Sequence, residues 1–149
     1  MFYFAYGSNM NINELKKYCP CKNIKIIDTG YLDNYIFRYR TIQGKKKIKA
    51  KANIEPRKNS KVYGLIINIT GSIRKLNKKE GFFDNIYFIK HKLKVHSIST
   101  RKTYNCFAYI MEPSVRLQES KPSINYCKKI FDAATLLNFP KSYLKRIKC

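Results

Sequence analysis

A short turn near the start of the chain combines residue types that bind anions. Gly7, Ser8 and Asn9 interrupt an apolar run that begins at Phe2 and ends at Tyr6. A turn that leaves a strand and enters a helix presents successive backbone N–H groups, a hydroxyl and an amide at the helix N-terminus. Such a turn suits a carboxylate or the oxyanion of an acyl-transfer intermediate, although a purely structural strand-to-helix turn would use the same residue types.

Glu80 is the second candidate for chemistry. It lies in the sequence Lys78-Lys79-Glu80-Gly81, in which the glycine can end a helix in a left-handed conformation. A carboxylate that faces a substrate can act as a general base and then as a general acid. The local sequence alone indicates a solvated helix end, so the residues beside Glu80 predict no catalytic role by themselves.

The elements that must position these residues are short strands and a few helices. Apolar and polar residues alternate between turn signals, which predicts strands. The predicted strands span residues 2–6, 24–28, 31–40, 47–54, 62–69, 87–95 and 104–111. Asn11 or Asn13 can cap a short helix that Pro20 closes, and Thr70 or Ser72 can cap a second helix that ends at residues 80–81.

Two more predicted helices close the chain. One begins at Pro122-Ser123, with apolar residues at helical spacing from Tyr126 to Leu137, and a shorter one begins at Pro140. Because the strands do not alternate regularly with helices, the pattern predicts an α+β fold with an antiparallel sheet or a small barrel. No internal repeat or linker divides the chain, so we expect one domain over residues 1–149.

The formal net charge of +22 is of the kind found in nucleic-acid-binding proteins. Composition offers another explanation, because Lys, Asn and Ile supply 56 of the 149 residues, as AT-rich coding favours. The lysines are spread along the chain apart from residues 44–51, where alternation with apolar residues indicates the solvated face of a strand. We therefore do not expect a nucleic-acid partner despite the charge.

Five cysteines at irregular spacing predict free thiols, in place of a disulfide framework or a zinc site. They are Cys19, Cys21, Cys106, Cys127 and Cys149. The longest apolar runs are too short for a membrane span, and the N-terminus does not have the pattern of a secretory leader. We therefore expect a cytoplasmic protein with no bound metal and no membrane partner.

Several short segments, in order along nearly the whole chain, resemble the gamma-glutamyl cyclotransferase family, which includes AIG2-like proteins. The segments are FAYGSNM at residues 4–10, ANIEP at 52–56, VYGLI at 62–66, LNKKEG at 76–81, Tyr87, PS-x-x-Y at 122–126 with Ala133-Ala134, and FP-x-x-Y at 139–143. Enzymes of this family cleave gamma-glutamyl amides to 5-oxoproline and a free amine.

The resemblance implies a gamma-glutamylcyclotransferase, a carbon–nitrogen lyase of glutathione metabolism that needs no cofactor. It also implies the family fold, a small mixed or antiparallel β-barrel with flanking helices. Glu80 takes the position of the family's catalytic acid and base. The substrate-binding residues that the resemblance implies are Tyr3, Phe4, Ala5, Tyr6, Gly7, Ser8, Asn9, Tyr87 and Tyr126.

Asn77 departs from the family pattern, which commonly has aspartate at that position, and we expect it to help end the helix. The resemblance implies a small-molecule gamma-glutamyl substrate and is compatible with a homodimer, but it leaves the departing amine open. Two other functions remain as hypotheses. One is a catalytically degenerate binding protein of the same fold, and the other, based on charge and tyrosines alone, is a nucleic-acid-binding module.

Overall fold

The fold is described from a computed structural model, which covers residues 1–44, 49–81, 88–111 and 116–149 apart from the side chains of Cys21 and Ile89. The strands of these residues are β1 Phe2–Ala5, β2 Ile24–Ile42, β3 Lys51–Ile69, β4 Phe88–Ser97, β5 Thr103–Met111 and β6 Leu117–Glu119. Their α-helices are α1 Ile12–Lys16, α2 Arg74–Lys79, α3 Ile124–Leu136 and α4 Lys141–Ile147, with 3₁₀ turns at Ser8–Met10 and Cys21–Asn23.

Five of the described strands close into a barrel in the order β3-β1-β5-β4-β2, and β2 pairs again with β3. The pairing of β1 with β5 is parallel, whereas the other neighbours in the barrel are antiparallel. The short β6, which the sequence did not predict, adds to the far end of β2. The helices flank this barrel, as the α+β prediction required.

The two longest strands cross positions that the sequence predicted as turns. Gly30 lies inside β2, where it pairs with Gly64 and passes close to the backbone of His96. The polar stretch at residues 55–61 lies inside β3, where the register with β2 shifts between Asp33 and Tyr35. A β-bulge and a turn use the same polar residues, so the sequence cannot distinguish them. The four strands that were predicted between residues 24 and 69 are therefore two, β2 and β3.

Gly64 allows β1 to approach β3 closely. A Cβ atom at this position would lie 2.5 Å from the backbone oxygen of Ala5 and 2.7 Å from the ring of Phe4. Both neighbours belong to β1, which is almost completely buried, so the strand has little room to move away. The absence of a side chain at Gly64 therefore sets the position of β1.

Helix ends follow local chemistry in most cases. The Asn11 side chain accepts hydrogen bonds from the backbone of the first turn of α1, and Ser123 caps α3 in the same way. The N-cap residue of α2 is Ile73 and not Thr70 or Ser72 as predicted, although the Ser72 hydroxyl accepts a hydrogen bond from the N–H of Arg74, the first residue of the helix. Among the described residues, no helix combines the length and apolar composition that a membrane span requires.

Cys127 and Cys149 form a disulfide, so the prediction of free thiols is wrong for this pair. The Cα atoms lie 5.7 Å apart, and the bond joins α3 to the residue that ends the chain after α4. Folding brings together two cysteines whose sequence separation of 22 residues has no recognisable pattern. Cys19 and Cys106 are buried free thiols, as predicted.

The β4–β5 hairpin agrees with the predicted alternation over most of its length. Leu93 and Val95 are buried, while Lys92 and Lys94 are exposed. Phe88 falls on the same side of that alternation in the sequence as Lys92 and Lys94, which predicts an exposed side chain, but it is only 9% exposed. At the start of β4 this face of the strand lies against a cleft, which Phe88 helps to line.

Asp28 fastens the loop of this hairpin to β2. Its carboxylate accepts hydrogen bonds from the Ser97 hydroxyl and from the backbone and hydroxyl of Ser99. Partial burial of Asp28 opposes ionisation, but these bonds and one from the Thr29 backbone outweigh it and lower the pKa to about 2. The charged carboxylate is therefore the form that the folded protein stabilises.

We predict that Asp28 contributes to stability against acid. Its pKa is lower in the folded state than the ordinary 3.8, so its contribution is complete above about pH 4 and is lost as the pH falls toward 2. Solvent screening limits this contribution to about 1 kcal/mol. Urea unfolding at pH 6 and at pH 3 should show that Asp28→Asn loses less stability on acidification than the parent does, and an equal loss would contradict the assignment.

We also predict that Gly64→Ala destabilises the protein by about 1–3 kcal/mol, because the added methyl group forces β1 away from β3. The free energy of unfolding from urea denaturation measures this change. An unchanged value would mean that β1 can shift without loss of packing.

Candidate active site

A small cleft, partly open to solvent, lies where β1 ends and α2 ends. Residues from six parts of the chain line it. They are Tyr3, Tyr6, Gly7, Ser8, Asn9, Ala52, Glu80, Phe88, Tyr109 and Tyr126. Glu80 is the one carboxylate among these lining residues, so it is the candidate for proton transfer within the described cleft.

The turn after β1 forms one side of the cleft. The backbone N–H of Met10 donates to the oxygen of Gly7 at 3.0 Å, which folds Ser8–Met10 into a single 3₁₀ turn. Asn11 then caps α1, so the chain changes direction within a few residues. The backbone N–H groups of Gly7 and Ser8 donate to no group in the described part of the chain, and both residues line the cleft.

The end of α2 forms the facing side. The N–H of Glu80 donates to the oxygen of Leu76 at 3.0 Å, so Glu80 ends the helix. Gly81 follows with a φ of 71°, the left-handed conformation that lets the chain turn away. Leu76 is fully buried and anchors the helix, and the Glu80 side chain is 15% exposed. The carboxylate is therefore held in the cleft by a fixed helix end.

Asn9 joins the two sides. Its amide nitrogen donates to Glu80 Oε1 at 3.0 Å and to the Tyr3 hydroxyl at 2.9 Å, while its amide oxygen accepts from Lys79 Nζ at 2.5 Å. Only one orientation of the amide satisfies a carboxylate and an ammonium together. Asn9 therefore fixes the carboxylate of Glu80 relative to the turn.

Lys79 supplies the counter-charge of Glu80. Its ammonium lies 3.0 Å from Glu80 Oε1 and 5.1 Å from the centre of the Tyr18 ring. A carboxylate that is removed from water is costly unless it is paired and hydrogen-bonded. Lys79 and Asn9 together offset that cost.

Three tyrosines line the cleft near the carboxylate, of which Tyr3 and Tyr6 are buried and Tyr126 is half-buried. Burial raises the pKa values of Tyr3, Tyr6 and Tyr126 well above the ordinary value for tyrosine, and the Glu80 carboxylate acts in the same direction. These phenols are therefore neutral at physiological pH. The Tyr126 hydroxyl accepts a hydrogen bond from the backbone N–H of Ala52 at 3.1 Å, which ties α3 to β3 across the cleft.

Asn77 positions a fourth tyrosine. It is 8% exposed, and its side-chain oxygen accepts a hydrogen bond from the hydroxyl of Tyr109, whose backbone oxygen in turn accepts one from Tyr6. Its backbone N–H donates to Ile73, so Asn77 lies within α2. The expectation that Asn77 ends the helix is wrong, because Glu80 and Gly81 do so.

The structure brings most of the predicted site residues together. Those that line the cleft are Tyr3, Tyr6, Gly7, Ser8, Asn9, Glu80 and Tyr126. Phe4 and Ala5 do not line it, because both are fully buried in β1, where they contact the Gly64 position of β3. Tyr87 lies outside the described residues.

The family of the chain follows from comparison with known proteins. Residues 61–147 match the AIG2-like family, and they include α2, Glu80 and Tyr126. This segment makes up more than half of the chain. The protein belongs to the AIG2-like family. No curated protein sequence gives a significant match.

Solved structures agree with the fold of this AIG2-like protein. A gamma-glutamyl cyclotransferase is 22% identical with a TM-score of 0.85, over 99% of this chain and 85% of that one. An uncharacterised human protein is 22% identical with a TM-score of 0.83, over 98% and 85%. A glutathione-specific gamma-glutamyl cyclotransferase from yeast is 11% identical with a TM-score of 0.71, over 99% and 93%. Such similarities establish a gamma-glutamyl cyclotransferase-like fold.

Sequence reasoning missed Tyr109, which lines the cleft of this AIG2-like protein, and Lys79, which pairs with Glu80. Adjacent residues on a helix do not normally face one another, so nothing local indicated that Lys79 would contact Glu80. The two side chains meet because the helix ends there. Tyr109 was placed on a strand, but its partner Asn77 lies 32 residues away and no local signal joins them.

We predict that Asn77→Leu destabilises this AIG2-like protein by about 1–3 kcal/mol, because it leaves the buried Tyr109 hydroxyl without its acceptor. Adding Tyr109→Phe removes that hydroxyl and should recover part of the loss. A double-mutant cycle of unfolding free energies measures the coupling, and additive losses would contradict a direct interaction.

Proposed function

We propose that this protein is a gamma-glutamylcyclotransferase, which converts a gamma-glutamyl amide to 5-oxoproline and a free amine. One observation carries the proposal. The single carboxylate of the described cleft, Glu80, is held by Asn9 across from the free backbone N–H groups of Gly7 and Ser8. Membership of the AIG2-like family and a cyclotransferase-like fold support the same reaction class.

The reaction needs few protein groups because it is intramolecular. The α-amine of the substrate attacks its own γ-carbonyl carbon, and a new C–N bond closes the five-membered ring. The amide bond to the departing nitrogen then breaks. The protein must hold the substrate folded, remove a proton from the α-ammonium and supply a proton to the departing nitrogen.

Glu80 is the group that we assign to proton transfer. As a carboxylate it accepts a proton from the α-ammonium of the substrate, and as a carboxylic acid it donates that proton to the departing nitrogen. The attacking nitrogen loses a second proton when it becomes the lactam N–H, and the departing amine gains one when it leaves as an ammonium. Asn9 keeps the oxygen that it contacts in one place, which leaves the remaining oxygen Oε2 for the substrate. Lys79 stabilises the carboxylate before the substrate arrives.

We assign to the turn at Gly7 and Ser8 the role of stabilising the negative charge that develops during the reaction. Attack on the γ-carbonyl places that charge on its oxygen, and two fixed N–H groups in a partly buried cleft stabilise such an oxyanion without reorganisation. The N–H groups of Gly7 and Ser8 are the donors on this side of the cleft. The neutral hydroxyls of Tyr3 and Tyr126 provide further hydrogen-bonding groups for the substrate.

The direct test is release of 5-oxoproline from a panel of gamma-glutamyl dipeptides and gamma-glutamylamines. We expect Glu80→Gln to lower kcat/KM by at least about 100-fold, because glutamine keeps the shape of the side chain but cannot carry the proton. Chromatographic measurement of 5-oxoproline gives the rate, and thermal unfolding reports whether the variant is folded.

Glu119→Gln is the matched control. Glu119 is also a glutamate that pairs with a cation, but it is 69% exposed on β6 and does not line the cleft. Its variant should retain full activity. Normal turnover by a folded Glu80→Gln variant would exclude the proton-transfer role, and the absence of 5-oxoproline from every substrate with the parent protein would leave a binding protein of the same fold.

A further inference from the structure

The disulfide between Cys127 and Cys149 has one exposed end and one buried end. Cys149 is exposed and lines a groove beside the end of α4, whereas Cys127 is completely buried in α3. A thiolate breaks a disulfide by attacking one of its sulfur atoms, and access decides which one. An attacking thiolate therefore bonds to Cys149, and Cys127 is the leaving group.

The groove at Cys149 is open to solvent and favours the approach of an anion. Its described lining residues include four cations, Arg38, Lys121, Arg146 and Lys148, and one carboxylate, Glu119. A cleft lined mainly by one sign of charge raises the local concentration of oppositely charged molecules. The species that attacks a disulfide is an anion, so the groove brings it toward the exposed sulfur.

The buried end of the disulfide has a hydrogen-bond donor for the departing sulfur. The Tyr39 hydroxyl lies 3.3 Å from Cys127 Sγ and 3.0 Å from the backbone oxygen of Ile147. Burial raises the pKa of Tyr39 to about 12, so the phenol keeps its proton at physiological pH. A thiolate accepts a stronger hydrogen bond than a disulfide sulfur does, so Tyr39 stabilises Cys127 as it departs. Once protonated, the Cys127 thiol has the Ile147 oxygen at 3.8 Å as its acceptor.

The first turn of α3 connects the disulfide to the cleft. Ile124 and Asn125 are exposed there, so Tyr126 and Cys127 are the residues that fasten this turn to the barrel. The Tyr126 hydroxyl accepts a hydrogen bond from the N–H of Ala52 in the cleft wall, and the disulfide holds Cys127. Opening of the disulfide removes one of these attachments, so the bond between Tyr126 and Ala52 becomes less stable.

We propose that the Cys127–Cys149 disulfide is a thiol-exchange site that controls the α3 wall of the cleft. A small-molecule thiolate forms a new S–S bond with Cys149, the bond between Cys149 and Cys127 breaks, and its electron pair leaves on Cys127, which then takes a proton from solvent. One disulfide replaces another, so the thiol is the only co-reactant. Attack by Cys127 on the mixed disulfide reverses the step.

Mercaptoethanesulfonate is the thiol with which we would test the site. Acid quenching followed by peptide mapping in the mass spectrometer should show one adduct on Cys149 and a free thiol on Cys127. Tyr39→Phe should slow this exchange by about tenfold, because it removes the hydrogen bond to the departing thiolate. Tyr31→Phe is the control, since Tyr31 lies on the same strand but does not line the groove, and its rate should equal that of the parent.

Thermal unfolding reports whether both tyrosine variants are folded. An adduct on Cys127, no adduct at all, or the parent's rate in a folded Tyr39→Phe variant would overturn the assignment of the exchange site.

Hydrogen exchange followed by NMR tests the link to the cleft. Opening of the disulfide by the same thiol should make the backbone N–H of Ala52 exchange about threefold to tenfold faster, because its acceptor is less firmly held. Cys149→Ser should give the fast rate without any thiol. The N–H groups of residues 65–68, where β3 pairs with β1, are the internal control and should keep their rates.

An unchanged rate at Ala52 in the opened protein would overturn the link between the disulfide and the cleft. An equal acceleration at residues 65–68 would do the same, because it would mean that the whole barrel loosens. Neither measurement uses a gamma-glutamyl substrate, so these outcomes are independent of the reaction proposed above.

Discussion

The position of β1 is the constraint on which the rest of the structure depends. This strand has four residues, yet it joins β3 on one side and β5 on the other, so the barrel closes through it. It fits because Gly64 offers no side chain where Phe4 and Ala5 pass. The buried side chain of Asn53 in β3 accepts a hydrogen bond from the backbone of Met111 in β5, which joins the strands on either side of β1. The cleft begins where β1 ends, so the packing of the barrel determines the geometry of the cleft.

The electrostatics of the site follow from that geometry. A rigid turn brings Asn9 to the end of α2, and the amide can then meet Glu80 and Lys79 together. The ion pair is partly buried, with side chains that are 15% and 21% exposed, so its attraction is less screened than on the open surface. In the reaction proposed above, the α-ammonium of the substrate approaches Oε2, the oxygen that Asn9 and Lys79 leave open.

Local chemistry explains which features the sequence could predict. Caps such as Asn11 and Ser123 and the left-handed glycine after Glu80 act within one turn of chain, so their neighbours reveal them. Gly30 and the polar stretch at 55–61 give the same local signal in a turn as in a bulge, and only pairing with the neighbouring strand distinguishes the two. Contacts over long separations, such as the Cys127–Cys149 disulfide and the bond between Tyr109 and Asn77, have no local signal.

The lysines that give the chain its high positive charge are of two kinds. Lysines such as Lys92 and Lys94 on β4 are exposed, and a bias in composition is enough to account for them because a solvated lysine costs little. Lys79 is different, since a partly buried ammonium loses hydration and is retained only where a partner compensates the loss. Composition can raise the number of lysines, but it does not place one against a carboxylate inside a cleft. The charge of the whole molecule attracts anions in general. A fixed position against Glu80 is the property that separates Lys79 from the lysines of the surface.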